Sequence, residues 1–154
     1  MGRLEQRGIF LVLFALHQQL AGLLAQAMTR APLSPADFAV YSALRLIEPT
    51  TPTELAATLG MRATTLSSVL AKMEQLAHLR RQRNPADGRS RVISLTDAGR
   101  QATEDCFPAF GQAIQAFRRH LPMDEQDALQ YFEAVSGALQ DAAGELAGGE
   151  RQAG

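Results

Sequence analysis

Five arginines crowd into the twelve positions 80–91, at Arg80, Arg81, Arg83, Arg89 and Arg91, with Asp87 the only acid among them. Guanidinium stays charged and offers a planar fork of donors, the geometry that suits phosphate oxygens. A little upstream, Thr64, Thr65, Ser67 and Ser68 put four hydroxyls into the five positions 64–68. Hydroxyls and permanent cations are binding chemistry. The residues that catalyse or hold metals are sparse: one cysteine, Cys106, and histidines His17, His78 and His120. They show no nucleophile–base pair at a recognisable spacing, no glycine-rich phosphate loop and no cluster of metal ligands. The chain reads as a non-enzyme, with no cofactor and no metal.

The elements that hold these residues belong to a chain of 154 residues, one ordinary domain's worth. Its 15 basic and 16 acidic side chains nearly cancel, for a net charge of −1, which at first speaks against nucleic acid. Divided along the chain, the charges do not cancel. Residues 45–100 carry nine basic and five acidic groups, whereas residues 101–154 carry three and nine. A cationic middle precedes an acidic tail, and the middle alone can face a polyanion. The lone cysteine excludes an intrachain disulfide framework.

Near the N-terminus, Arg3 and Arg7 precede the apolar run IFLVLFAL at 9–16. A signal sequence is the obvious alternative, but His17, Gln18 and Gln19 follow the run and Glu5 weakens its basic flank. The run is shorter than the roughly 20 residues of a membrane span. Apolar residues then recur at 20, 23, 24, 27 and 28, so the segment reads as a helix over about 7–30 of a cytoplasmic protein, with no membrane partner. Ile9, Phe10, Leu13, Phe14, Leu20, Leu23 and Leu24 cover most of its circumference. Such a helix requires burial on nearly all sides, which points to a second copy of the chain.

Ser34-Pro35-Ala36-Asp37 opens a second helix, with Ser34 as cap, Pro35 at the first position and Asp37 at the positive end; Phe38, Tyr41, Leu44 and Ile47 form its apolar stripe. Thr51-Pro52-Thr53-Glu54 is a capping box that starts a short helix ended by Gly60. The next helix runs from Arg62 to about Leu76 or Ala77. Leu66, Val69, Leu70, Met73 and Leu76 share one face; Thr64, Ser68, Ala71 and Gln75 occupy the opposite one, flanked by Thr65, Ser67 and Lys72. A solvated face usually carries long Glu/Lys pairs, but short hydroxyls and methyls permit close approach to a groove floor. LRRQR (79–83) and RVISLT (91–96) are strand-like and joined by the turn NPADGRS. A short helix, a glycine turn, a hydroxyl-faced helix and an arginine-rich hairpin make a winged helix-turn-helix. A further helix is expected from Thr96 to His120, kinked at Pro108. The last is expected over about 123–142, with GELAGGERQAG frayed behind it.

At these residues the chain resembles the MarR family of winged-helix transcription regulators. The matching pieces are LSPADFAVYSAL (33–44), TPTELAATLGMRATTLSSVLAKME (51–74) and DGRSRVISLTDAGR (87–100). In the last, Asp87, Arg89, Leu95, Thr96 and Gly99 occupy the family's wing pattern. The resemblance covers roughly residues 7–142 and extends to LPMDEQDALQYFEAVSGAL (121–139). It implies a mainly α fold with a small β-wing: a winged helix-turn-helix head (34–100) on a helical dimerisation module formed by 1–33 and 101–154, all one intertwined domain. It implies DNA-binding roles for Arg62, Thr64, Thr65, Ser67, Ser68, Lys72, Arg81, Arg83, Asp87, Arg89 and Arg91, with Arg89 at the wing tip. Two departures stand out. Ala77-His78 replaces the family's Gly followed by Leu or Tyr, so the helix is expected to run on or tighten differently. Arg62 replaces a capping Ser.

The resemblance further implies a homodimer on double-stranded DNA, a repressor released from a pseudo-palindromic operator by a small aromatic or apolar effector. The effector pocket is expected at Phe10, Phe14, His17, Phe38, Tyr41, Phe107 and Phe110, residues that serve equally well as core. Two other readings stay open. One is an oxidant sensor working through Cys106, although Glu104 and Asp105 beside it disfavour a thiolate. The other is a helical protein-interaction module that does not bind DNA.

Overall fold

The computed structural model describes residues 8–85 and 87–152, with side chains up to residue 146. The expected helix start at residue 7 and Ala86 of the turn lie outside the described residues. In chain order the elements are α1 (Ile9–Ala27), α2 (Pro35–Ile47), α3 (Pro52–Leu59), α4 (Ala63–Gln75), β1 (Leu79–Arg83), β2 (Arg91–Leu95), α5 (Asp97–Glu104), α6 (Phe107–His120) and α7 (Glu125–Gln152). The chain divides between Ile114 and Gln115 into two compact units.

In the first unit the helix starts follow local side-chain chemistry. Ser34 accepts from the Asp37 N–H at 3.1 Å with Pro35 at the first position. Thr51 and Glu54 form the reciprocal capping box, and Gly60 ends α3 at φ 60°. The Thr51 N–H, then the Thr50 and Thr51 hydroxyls, hold the Glu54 carboxyl below its ordinary range. Thr96 caps α5 through the Gly99 N–H at 3.1 Å. The core gathers Phe38, Val40, Tyr41 and Leu44 of α2, Leu55 of α3, Leu66, Leu70 and Met73 of α4, and Leu79, Ile93 and Leu95 of the hairpin. Leu76 and Ile47, expected on buried stripes, are instead exposed at the ends of their helices.

The hairpin pairs Leu79 with Leu95 through Arg83 with Arg91, antiparallel. Thr50 adds a bridge to Ile93 on the other side of β2, with N–H to O distances of 3.2 and 2.7 Å. This one-residue extension of the sheet had no signature in the sequence, because a single bridge carries no periodicity.

Between α4 and β1 the expectation of a run-on helix is corrected. Ala77 adopts the left-handed conformation, φ 57°, that glycine usually supplies. Its N–H reaches the Glu74 carbonyl at 2.9 Å and the His78 N–H reaches the Met73 carbonyl at 2.8 Å, the paired bonds of a Schellman cap. The Thr96 hydroxyl then takes the Ala77 carbonyl at 2.8 Å. Three bonds outweigh the preference of one Cβ.

A second correction concerns Pro108. A kinked helix running through it would leave the Glu104 carbonyl without a donor and against the ring. The chain breaks earlier, at Asp105 and Cys106, and α6 begins at Phe107 with Pro108 in its first turn, where a missing N–H costs nothing. The Cys106 carbonyl accepts the Phe110 N–H at 3.0 Å, so the cysteine stands at the start of the new helix.

None of the residues Ile9–Ala27 in α1 is buried. Ile9, Phe10, Leu11, Phe14, Leu16 and Leu20 all face outward, and Phe10 is 74% exposed. The helix is also long and apolar enough to cross a membrane by length and composition, which the shorter run at 9–16 did not suggest. In the second unit, Asp124 accepts the Gln126 N–H at 2.8 Å and Arg118 pairs with Glu125 at 2.9 Å, fixing the start of α7. Helix α7 continues to Gln152, ten residues beyond the expected end, so the supposed frayed stretch is helical as far as residue 152. Leu129, Tyr131, Phe132 and Leu139 are exposed along it.

Candidate nucleic-acid interface

Helices α3 and α4 are joined at the left-handed Gly60, and the hairpin follows directly. Burial of Leu66, Leu70 and Met73 rolls α4 so that Thr64, Thr65, Ser67 and Ser68 are exposed. Ser68 donates to the Thr64 carbonyl at 3.3 Å. Arg62, at the N-cap, makes no side-chain cap bond, so the capping role of a Ser is not replaced and its guanidinium stays exposed.

The remaining cations divide into two sets. Lys72 is held by Asp37 of α2 at 2.6 Å, and Arg81 is paired with Glu74 of α4. Arg80 donates to Ser94 at 2.9 Å. These three charges brace the head internally. At the hairpin end, Arg83 donates to the Gly88 carbonyl at 3.0 Å. The Asp87 carboxylate closes the turn by accepting the Arg89 N–H at 3.1 Å. Arg62, Arg89 and Arg91 have no ion-pair partner among the described residues. Arg83 and Arg91 stand directly opposite each other in the register. Like charges so placed repel, and an anion bound between them would relieve the repulsion. Arg83, Gly88, Arg89, Ser90 and Arg91 enclose a concavity of about 430 Å³ at this tip.

A second feature is an apolar cavity of about 410 Å³, lined from α1, α2, α6 and their flanks by Leu24, Met28, Pro35, Phe38, Ala39, Ser42, Arg45, Leu46, Phe107 and Phe110. Three of the expected pocket residues meet here: Phe38 stacks edge-on to Phe107 at 5.8 Å and tilts against Phe110 at 5.0 Å. The other four do not join them. Phe10, Phe14 and His17 are exposed on α1, and Tyr41, buried on α2, turns away from the cavity with its hydroxyl 2.9 Å from His78 Nδ1. Sequence reasoning missed Ser42 and Arg45, although positions 38, 42 and 45 share one helical stripe. The Ser42 hydroxyl and Arg45 Nη1 are buried without a hydrogen-bond partner among the described residues. Arg45 otherwise bonds Glu104 at 3.0 Å and lies 5.5 Å over the Phe107 ring. Cys106 is fully buried; burial, then Asp105, pushes its thiol up, which disfavours the thiolate an oxidant sensor needs.

A helix-turn-helix followed by an arginine-tipped hairpin defines a winged-helix DNA-binding protein. Residues 31–90 match the model of the MarR family. No curated protein matches the chain. Among solved structures, the transcriptional repressor CouR bound to a 23-mer DNA duplex is 25% identical, covering 89% of this chain and 96% of its own, with a TM-score of 0.73. A probable transcriptional regulator from Pseudomonas aeruginosa is 26% identical over 86% and 98%, with a TM-score of 0.72. A mutant MarR from E. coli complexed with operator DNA is 25% identical over 81% and 90%, with a TM-score of 0.71. Residues 31–90 thus match the MarR family, and the fold is similar to that of its winged-helix transcription regulators.

Proposed function

We propose that the protein is a homodimeric repressor that reads a pseudo-palindromic DNA site and leaves it when a small molecule enters each protomer. The observation that carries the reading is the wing tip, where Arg89 and Arg91 have no ion-pair partner among the described residues and Arg91 faces Arg83 across the hairpin. Phosphates or the minor groove would complete that arrangement, with the hydroxyls of α4 in the major groove. Two copies pair through α1 and the last helices, covering apolar side chains worth about 1.5–3 kcal/mol each when buried. Lys72 and Arg81 act here as braces that aim α4 and β1, with Arg62, Arg83, Arg89 and Arg91 as the contacting cations.

The effector site in this reading is the cavity between α2 and α6. Its size falls within the range of small-molecule sites. Its aromatic wall suits a ring, and the unpartnered Ser42 hydroxyl and Arg45 nitrogen suit an acceptor group on that ring. The effector releases DNA only if it binds the released arrangement more tightly than the DNA-bound one.

The test is selection of duplexes from a random library by the full chain, followed by titration. The enriched site should be two-fold symmetric, and log affinity should fall linearly with log salt. Arg89→Ala should weaken binding about 10-fold or more while the protein still sediments as a dimer. Unchanged affinity in that variant would remove the wing from the interface.

A further inference from the structure

The junction between α4 and β1 is the place where the two DNA-facing elements are set relative to each other. It is a single left-handed residue, Ala77, followed by His78, after which β1 begins. Three polar atoms of His78 are tied to its neighbours. Its N–H reaches Met73 at 2.8 Å, its carbonyl accepts the Thr96 N–H at 3.0 Å, and its ring Nδ1 lies 2.9 Å from the Tyr41 hydroxyl. The two rings meet edge-on at 5.8 Å. Tyr41 is 1% exposed, so its phenol exchanges water for this one imidazole.

Tyr41 is one of three grips along α2 and its C-cap. One turn before it, Asp37 holds Lys72 of α4. Two turns after it, Glu48 accepts the Leu95 N–H of β2 at 2.6 Å and pairs with Arg100 of α5. The outer two grips fix the recognition helix and the far strand. The middle one fixes the hinge between them.

We infer that His78 is a positioning residue for DNA reading: its bond to Tyr41 sets the angle of the wing against α4, so that Arg89 and the α4 hydroxyls meet one duplex together. An apolar residue at 78 would fill the space but leave the phenol unpaired and the hinge without a directional restraint. The bond is a fixed latch. Nδ1 can accept from the phenol or donate to it, so either imidazole tautomer maintains it.

This inference rests on the DNA-reading proposal, and the experiment separates the two. The probes are the duplex enriched by the wild-type full chain and a scrambled duplex of the same composition. If the wild-type chain enriches no duplex, the DNA-reading proposal falls and the latch with it. Given an enriched duplex, Tyr41→Phe and His78→Leu should each weaken its binding about 5- to 10-fold. Binding to the scrambled duplex, which is charge-driven and indifferent to wing angle, should stay within twofold. The double variant should be no weaker than either single one, because both remove the same bond. His78→Asn, whose amide can place a polar atom near Nδ1, should restore discrimination. Equal losses on both duplexes, additive losses in the double variant, or no loss at all would overturn the latch while leaving DNA reading intact.

Discussion

Ala77 shows how a side chain one carbon too large is tolerated at a position made for glycine. The left-handed conformation costs an L-residue roughly 1–2 kcal/mol, and the bonds to Glu74 and from Thr96 hold it there. Ala77→Gly should therefore raise stability by about 1 kcal/mol, read as a higher urea midpoint with an unchanged slope. A lower midpoint would mean that the turn does not need a positive φ. The neighbouring Tyr41 phenol is pushed up to about 12 by burial and then by Asp37, in keeping with its place inside the head. Residues whose partners lie nearby in sequence were legible beforehand: Ser34, Thr51 and Thr96 all cap as their spacing implies. Lys72 was legible only in part. Its place on α4 away from the buried stripe follows from periodicity, but its partner Asp37 is thirty-five residues away and no local pattern announces it.

At the scale of elements, α5 packs so closely against the junction that its glycine is obligatory. A Cβ at Gly99 would meet the His78 carbonyl oxygen at 2.3 Å, against rigid backbone on both sides. Gly99→Ala should cost about 3 kcal/mol, the upper end of overpacking, and should loosen the wing root before the rest of the head. Hydrogen exchange at the β1 and β2 amides would report it, and wild-type protection there would contradict the close approach. The wing pattern that includes Gly99 was visible in the sequence, whereas the contact that requires it was not. Helix boundaries set by one-residue signals were read well, and so were the strands, where the period changes from helical to alternating. The boundary at Asp105–Cys106 was misplaced because proline forbids the residues before it from continuing, while the eye falls on the proline itself. The cavity was half visible for a similar reason. Aromatic residues attract notice, but Ser42 and Arg45 complete the wall from the same stripe as Phe38.

Over the whole molecule, the near-zero net charge conceals a basic head and an acidic remainder, and the basic part carries the arginine-rich hairpin. The apolar side chains of α1 are the counterpart of that division: none of the residues Ile9–Ala27 is buried. Replacing Phe10 and Phe14 together by Asp should convert a sedimenting dimer into a monomer and abolish binding to a symmetric duplex. The isolated head should keep its fold, since neither residue belongs to the core. A double variant that still sediments as a dimer would place the interface elsewhere. In the proposed dimer, helix α1 would also make copy number a variable of the regulator's behaviour. Because pairing follows mass action, paired protein falls faster than total protein as the chain becomes dilute. Occupancy of a two-fold site then climbs more steeply than abundance, and a gene under such control would answer to a threshold in regulator dose rather than in proportion to it.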